Sequence, residues 1–516
     1  MLGGERAGHD RPWRRRARSP WRRGATGPRL TALGRITVAL VAVVLGALLG
    51  VGSARLFGSP AGSERGSSPA RVAHRVAAGQ VEAESLAAPA EIIERLPGIA
   101  GQLSATHPHA DAARFTSAAM DPAAAERIVE QLPVPQGRQD LVGPLRVEYS
   151  FDVHLTQRIA KVLRRGRVRR GHAIVLDPSS GRLLAYVSTD PDSFPPTRAY
   201  PAASLVKLVT AAAALDLAPE EARRPCRYRG NPYRLSRSRL ERPRTGRETS
   251  LASALAMSNN QCFAQLAVNT VGREALLAAI SRFGWLEAPG PGHEPGEVGL
   301  ADDDYDLGRL GSGLAGSRIT ALHAARMAAS LAKGESVEPW WVDRVLDGRG
   351  QELMLPRRPA KRRIMTPVLA EELRGMLVRT TTRGTARSAF RDRRGRPKLG
   401  SIQVAGKTGN LSGSNPKGRY EWFIGVAPAK DPSVAVAVLQ VHDDLWWVRS
   451  SQIAADVLSE VFCERRRCAP ELAARYTGAL GSAVAPVFLS DELGRSEEVG
   501  LSDDVAQGHL RQGHLR

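Results

Sequence analysis

The chain has 516 residues with 73 Lys plus Arg against 52 Asp plus Glu, a formal net charge of +21. That length leaves room for two to four domains, and a 42% hydrophobic content is enough for a sizeable core. Aromatics are only 5% and no nucleic-acid-recognition motif appears, which sets a basic nucleic-acid binder aside. The charge then has two readings: attraction to an anionic partner such as phospholipid or cell-wall polymer, or an Arg-rich surface throughout.

Residues 1–35 hold ten Arg, no Lys and two acids, Glu5 and Asp10, and form a basic cytoplasmic tail. Residues 36–54, "ITVALVAVVLGALLGVGSA", carry no charge and are bounded by Arg35 and Arg55. Nineteen apolar residues are long enough for a transmembrane anchor, and the arginines before them orient the body of the protein outward. The small residues Gly52, Ser53 and Ala54 leave a cleaved signal peptide as the competing reading. Residues 55–143 are rich in Ala, Pro, Ser and Gly, and read as a stalk with short amphipathic helices such as "AEIIERLPGIAGQL" and "AAAERIVEQL".

A compact domain is expected over 144–470, with a polar tail over 471–516. "HAIVLDPSSGRLLAYVST" predicts a hairpin with its turn at 177–181. "YPAASLVKLVTAAAAL" predicts a buried helix. "SLASALAMSNNQCFAQLAVNTVG", "ITALHAARMAASLAKG" and "TPVLAEELRGMLVRTT" carry helical apolar spacing. Strands return at "SIQVAGKTGN", "YEWFIGVAP" and "SVAVAVLQV", and "SQIAADVLSEVF" closes the domain as a helix. Strands at both ends with a helical block between them predict an α+β fold: an antiparallel sheet flanked by helices, with an inserted all-helical subdomain. The four cysteines lack metal-ligand spacing. In an oxidising compartment Cys463 and Cys468 would close a small loop and Cys226 would reach Cys262, with four unpaired thiols as the alternative.

Three short motifs carry chemistry. Ser204 stands three residues before Lys207, so the hydroxyl and the amine share one helix face at the positive end of its dipole. That arrangement suits an activated nucleophile, although Ser is also a common N-cap. "AMSNNQCF" sets Ser258 two residues before Asn260, and "AGKTGNLSG" sets Lys407, Thr408 and Gly409 at the expected end of an apolar strand. Each has a bland reading: two helix caps and a solvated strand-end lysine. Together, in order, with gaps of 54 and 149 residues, they form the SxxK, SxN and KTG set.

With these motifs, the stretches "HAIVLDPSSGRLLAYVS", "ALAMSNNQCFAQLA", "RITALHAARMAASLAKG", "LRGMLVRTTTRGTA" and "YEWFIGVAPA" resemble the penicillin-binding protein transpeptidase domain, a serine β-lactamase and D,D-peptidase superfamily member, over about residues 145–465. The resemblance implies a serine-type enzyme that needs no cofactor or metal. Its substrates would be peptidoglycan stem peptides ending in D-Ala-D-Ala, and its inhibitors β-lactams. It implies Ser204 as nucleophile, Lys207 as its base, and Ser258 as a proton relay. Asn260 would hold the substrate amide, Lys407 and Thr408 its terminal carboxylate, and Gly409 would let the substrate strand lie close. The amides of Ser204 and Asn410 would form the oxyanion hole.

The combination of anchor, stalk and domain implies a single-pass protein of the bacterial cytoplasmic membrane with an extracytoplasmic catalytic domain. A D,D-carboxypeptidase is the next reading. A β-lactamase is disfavoured because the "ExxLN" and "YGN" strings are missing, and a non-catalytic β-lactam or muropeptide sensor because the motif residues are intact. No glycosyltransferase signature accompanies the domain. Two departures stand out. Asn410 follows KTG where small or hydroxyl residues are commoner, and residues 221–250 hold ten Arg against three Glu, either an anion-facing loop or an Arg-rich surface.

Overall fold

A computed structural model describes residues 110–111, 129–134, 140–299, 303–353, 355, 358–442, 448–465 and 467–478. The basic tail 1–35, the apolar run 36–54, most of the stalk and the tail beyond 478 lie outside the described residues. Among the described residues no helix is long and apolar enough to cross a membrane.

The strands and helices that position the site are these, in chain order. Strands β1 (Ala110–Asp111), β2 (Val129–Leu132) and β3 (Leu145–Tyr149) precede helix α1 (Val153–Arg165). Strands β4 (Arg170–Leu176) and β5 (Leu183–Ser188) lead to a 3-10 turn, Ala203–Leu205, and helix α2 (Val206–Leu217). Strands β6 (Cys226–Tyr228) and β7 (Arg247–Thr249) pair in front of helices α3 (Leu251–Ala256) and α4 (Asn260–Leu266). Helices α5 (Asp304–Gly311), α6 (Ala321–Ser330) and α7 (Pro367–Thr382) follow, then strands β8 (Ala405–Ser414), β9 (Lys417–Ala427) and β10 (Val434–His442), and last helix α8 (Ser450–Phe462).

The central sheet has six strands in the order β1-β5-β4-β10-β9-β8, antiparallel except for the short β1, which runs parallel to β5. Helices cover both faces. Ile174, Leu176, Ala437, Leu439, Trp422 and Ile424 point into the core that surrounds α2 and α6. Their alternating neighbours Ala173, Val175, Val436, Val438 and Phe423 point into the core of α1 and α8. A strand buried on both faces needs apolar residues at every position, so these strands read as continuous hydrophobic runs. Asp152 starts α1 by accepting from Leu155 N at 2.7 Å, and Arg164 and Arg165 end it against the negative end of the helix dipole. The expected hairpin turn is present, with Asp177 accepting from Ser179 N at 2.8 Å and from Ser180 Oγ at 2.6 Å.

The expectations change in three places. The block between α2 and β8 is not all-helical: it also contains the β6–β7 pair and further two- and three-residue strands at 297–298, 317–319, 335–336 and 362–363. Residues 129–132 of "AAAERIVEQL" are a strand rather than helix, because β3 offers them a register of backbone hydrogen bonds, Val129 opposite Glu148 through Leu132 opposite Leu145. The KTG triplet lies near the start of its strand rather than at the end. "SIQV" is irregular, and β8 runs on through Asn410 to a hairpin with β9. Both cysteine pairs, Cys226–Cys262 and Cys463–Cys468, are disulfides.

Candidate active site

Helix α2 is buried on every side from Val206 to Leu215, as its Ala, Leu and Val composition requires. Its approach is strained. Ala203, the residue before Ser204, has φ +52°, a left-handed conformation that costs an L-residue about 1–2 kcal/mol. Gly313 accounts for its persistence. That glycine has φ +68°, and a Cβ there would stand 2.0 Å from the Ala203 carbonyl oxygen. The first backbone bond of the turn is Leu205 N to Ala202 O at 3.3 Å, so the Ser204 amide precedes the hydrogen-bonded turn and is one of its unpaired opening donors. Ser204 does not cap the helix. Its side chain is half-buried and faces Lys207.

Lys207 is fully buried, at 0% exposure. Its Nζ lies 2.7 Å from Ser204 Oγ, donates to Asn260 Oδ1 at 2.7 Å and donates to the Ser312 carbonyl at 2.5 Å. A neutral amine has two N–H donors and one lone pair. Two of its partners, an amide oxygen and a carbonyl, only accept, so the lone pair is left for the Ser204 hydroxyl. Burial holds the Lys207 amine well below the usual lysine range, and the neighbouring Lys407 ammonium lowers it further. The Ser312 carbonyl comes from the end of α5, where Lys207 Nζ and Thr210 Oγ1, the latter 2.9 Å from the Gly311 carbonyl, satisfy carbonyls the helix cannot.

Asn260 opens α4, and Asn259 caps it by accepting from Cys262 N at 3.2 Å. Besides meeting Lys207, the Asn260 side chain donates from Nδ2 to the Tyr233 carbonyl at 2.8 Å. It is a strut between the arginine-rich segment and the lysine, with one Nδ2 hydrogen left over. Ser258 sits between α3 and α4 with φ +57° and is 8% exposed. Lys407, also 0% exposed, donates to Ser258 Oγ at 3.0 Å and to the Thr408 carbonyl at 2.7 Å. Burial lowers Lys407 to about 7.

Strand β8 is the edge of the sheet, so its outer backbone groups face away from β9 and are open to an added strand. Thr408 Oγ1 lies 2.6 Å from Thr385 Oγ1. A Cβ on Gly409 would press at 3.3 Å on the Ala202 carbonyl and on Trp422, so the glycine here fits the strand against the nucleophile turn. Trp422 Nε1 donates to the Pro201 carbonyl at 2.8 Å and ties β9 to the same turn. The Asn410 side chain accepts from Arg419 Nε.

Ser204, Lys207 and Asn260 thus form one hydrogen-bonded group, and Ser258 and Lys407 a second one whose charge reaches it. Reading the sequence missed the Ser312 and Tyr233 carbonyls, Gly313, and Thr385. Carbonyl contributors have no side-chain signature. Only the glycine-rich "GSGLAGS" around Gly313 offered a signal. Among the described residues no group of His, Cys, Asp and Glu has the arrangement of a metal site.

A family model, the penicillin binding protein transpeptidase domain, matches residues 171–462. This chain belongs to the penicillin-binding protein transpeptidase family. Among its family relatives, the peptidoglycan D,D-transpeptidase PbpA of Mycolicibacterium smegmatis is 29% identical over 313 residues, covering 52% of this chain and 61% of the relative. The Mycobacterium tuberculosis protein of the same name is 28% identical over 311 residues, with the same two shares. The chain spans about three fifths of the length of these curated relatives. In three dimensions it is similar to crystalline PBPA from Mycobacterium tuberculosis, with TM-score 0.52 and 23% identity over 64% of this chain and 85% of that one. That likeness supports the penicillin-binding fold of mixed helix and antiparallel sheet.

Proposed function

We propose that this chain is a membrane-anchored serine D,D-transpeptidase that cross-links peptidoglycan stem peptides through an acyl-enzyme on Ser204, and that penicillins acylate the same oxygen. The observation that carries the reading is the fully buried Lys207 amine, its Nζ 2.7 Å from Ser204 Oγ and held from the other side by Asn260 Oδ1 and the Ser312 carbonyl.

In the forward step Ser204 Oγ gives its proton to Lys207 and attacks the carbonyl of the penultimate D-alanine. Negative charge builds on that carbonyl oxygen and is met by the amides of Ser204 and Asn410. The C–N bond breaks, the proton passes by way of Ser258 to the leaving amine, and D-alanine departs. An amine of a second stem peptide then attacks the ester, losing a proton to Lys207, and regenerates the serine. Lys407 and Thr408, the latter steadied by Thr385, hold the terminal carboxylate. A carboxylate arriving beside Lys407 raises its pKa and makes it the ammonium that binding needs. The free Nδ2 hydrogen of Asn260 remains for the substrate's peptide carbonyl.

Residues 36–54 would hold the catalytic domain on the extracytoplasmic side of the bacterial cytoplasmic membrane, with the arginines of 1–35 on the inner side. Both disulfides are consistent with that compartment. The decisive experiment is labelling with a fluorescent penicillin. The wild type forms a covalent band and Ser204→Ala does not. Equal labelling of the two would move the nucleophile elsewhere. Release of D-alanine with and without an acceptor amine separates transpeptidation from carboxypeptidase activity.

A further inference from the structure

The first turn of α4, which begins with Asn260, is fixed from outside by the arginine-rich segment that precedes it. The Pro232 carbonyl accepts from Asn260 N at 3.0 Å and from Gln261 N at 3.3 Å. The Tyr233 carbonyl takes the Asn260 side-chain amide. Gln261, 1% exposed, answers with three bonds of its own. Its Nε2 donates to the Arg229 carbonyl at 2.8 Å and to the Asn231 carbonyl at 2.7 Å, and its Oε1 accepts from Arg229 N at 3.3 Å. The next residue, Cys262, is bonded to Cys226 at the start of the segment. One turn on, Gln265 Nε2 donates to the Arg227 and Arg239 carbonyls at 3.2 and 3.3 Å.

We propose that Gln261 is a positioning residue for acylation: it shapes the 229–233 backbone so that the Tyr233 carbonyl aims Asn260, and Asn260 aims the Lys207 lone pair at Ser204. The proposal rests on the assignment of Ser204 and Lys207 as nucleophile and base. The physical link is the donor count of a neutral amine. With Asn260 Oδ1 and the Ser312 carbonyl holding both N–H groups, the lone pair has one direction left, toward Ser204. If the 229–233 backbone relaxes, Asn260 follows its Tyr233 anchor. One Lys207 N–H is then released to compete for Ser204 Oγ, and the base is no longer aligned. Gln261 touches none of the reacting atoms and acts only through this chain of contacts.

Lys207 has a defined electrostatic setting, which supplies a readout. Lys407 on β8 is the charged group that faces it, the Phe263 ring of α4 stands 5.8 Å from its Nζ, and Ser204, Asn260 and the Ser312 carbonyl complete its surroundings. The Asn260 oxygen is a dipole that favours the ammonium form, so withdrawing it makes the amine easier to deprotonate.

The test is Gln261→Met, of similar length and apolar, in the full chain. The second-order rate of acylation by a fluorescent penicillin is measured from pH 5 to pH 9. The expected result is a fall of about 10- to 100-fold, the scale of a small misplacement of a reacting group. The acidic limb of the profile should also move to lower pH. A rate within twofold of wild type overturns the proposal. So does a fall of the same factor at every pH with an unmoved limb, which is what a merely less folded protein gives. If Gln261→Met shows no native melting transition, the paired substitution Cys226→Ser/Cys262→Ser loosens the same segment one residue away and must move the limb in the same direction by a smaller amount. An unmoved limb there also overturns it. Failure of the underlying assignment looks different: wild type and Ser204→Ala would then label alike.

Discussion

Lys407 is an ammonium donor kept where an ammonium is costly, and replacing it should stabilise the fold while abolishing function. Burial lowers it from 10.5 to about 7. Each unit of that shift corresponds to about 1.4 kcal/mol, so the protonated folded state bears a burden on the order of 3–5 kcal/mol relative to an unfolded chain whose lysine stays hydrated. The folded state binds the proton more weakly than the unfolded one, so stability rises with pH across the interval between the two values. Above about 10.5 both states are neutral and the burden is gone. It grows as pH falls and is complete below about 7. Lys407→Met keeps the volume and removes the proton. Its cost is the bonds to Ser258 Oγ and the Thr408 carbonyl, about 1–2 kcal/mol. Urea melts of wild type and variant at pH 6.5, 8 and 9.5 should therefore find the variant more stable by a few kcal/mol at the lowest pH, with the gap closing as pH rises. Penicillin labelling should be lost throughout. A gap that does not change with pH, or a variant less stable at pH 6.5, would refute the idea that desolvation of this ammonium dominates the pocket.

Gly313→Ala should cut the acylation rate by about 100-fold, because the new Cβ meets the Ala203 carbonyl at 2.0 Å and must displace the turn that carries Ser204. Stopped-flow acylation alongside a thermal melt checks this, and unchanged acylation would mean the turn yields without moving the hydroxyl. Lys207→Arg replaces the neutral amine with a permanent cation and loses the lone pair, since a guanidinium does not deprotonate in this range. Its labelling should drop by about 1,000-fold or more and gain nothing up to pH 10. Recovery at alkaline pH would point to a base other than Lys207.

The sheet was legible because its strands are buried on both faces and so spell out uninterrupted runs such as "VAVAVLQV". The hairpin turn was legible because Asp177, Ser179 and Ser180 are turn formers. Less could be read where tertiary partners outweighed local pattern. "AAAERIVEQL" has helical spacing, yet 129–132 pairs with β3, and the KTG strand runs on past the triplet because β9 supplies ten opposed positions. Most of the strands between α2 and β8 hold only two or three residues, too few to carry a period; the five-residue strand Val342–Leu346 is the longer one.

The sequence by itself determined which side chains are the candidates for the chemistry: Ser204, Lys207, Ser258, Asn260, Lys407 and Thr408 stand in three motifs whose order and residue types are the signal. Only the tertiary structure decided how they are tuned. The acceptors that take up the Lys207 hydrogens include the Ser312 carbonyl, and the anchor of Asn260 is the Tyr233 carbonyl. Every residue owns such a carbonyl, so none is marked by composition or spacing. The burial that lowers both lysines comes from packing the turn at Ala203–Leu205, which leads into α2, against β8 across a gap of some two hundred residues, an environment that no local stretch of either segment contains.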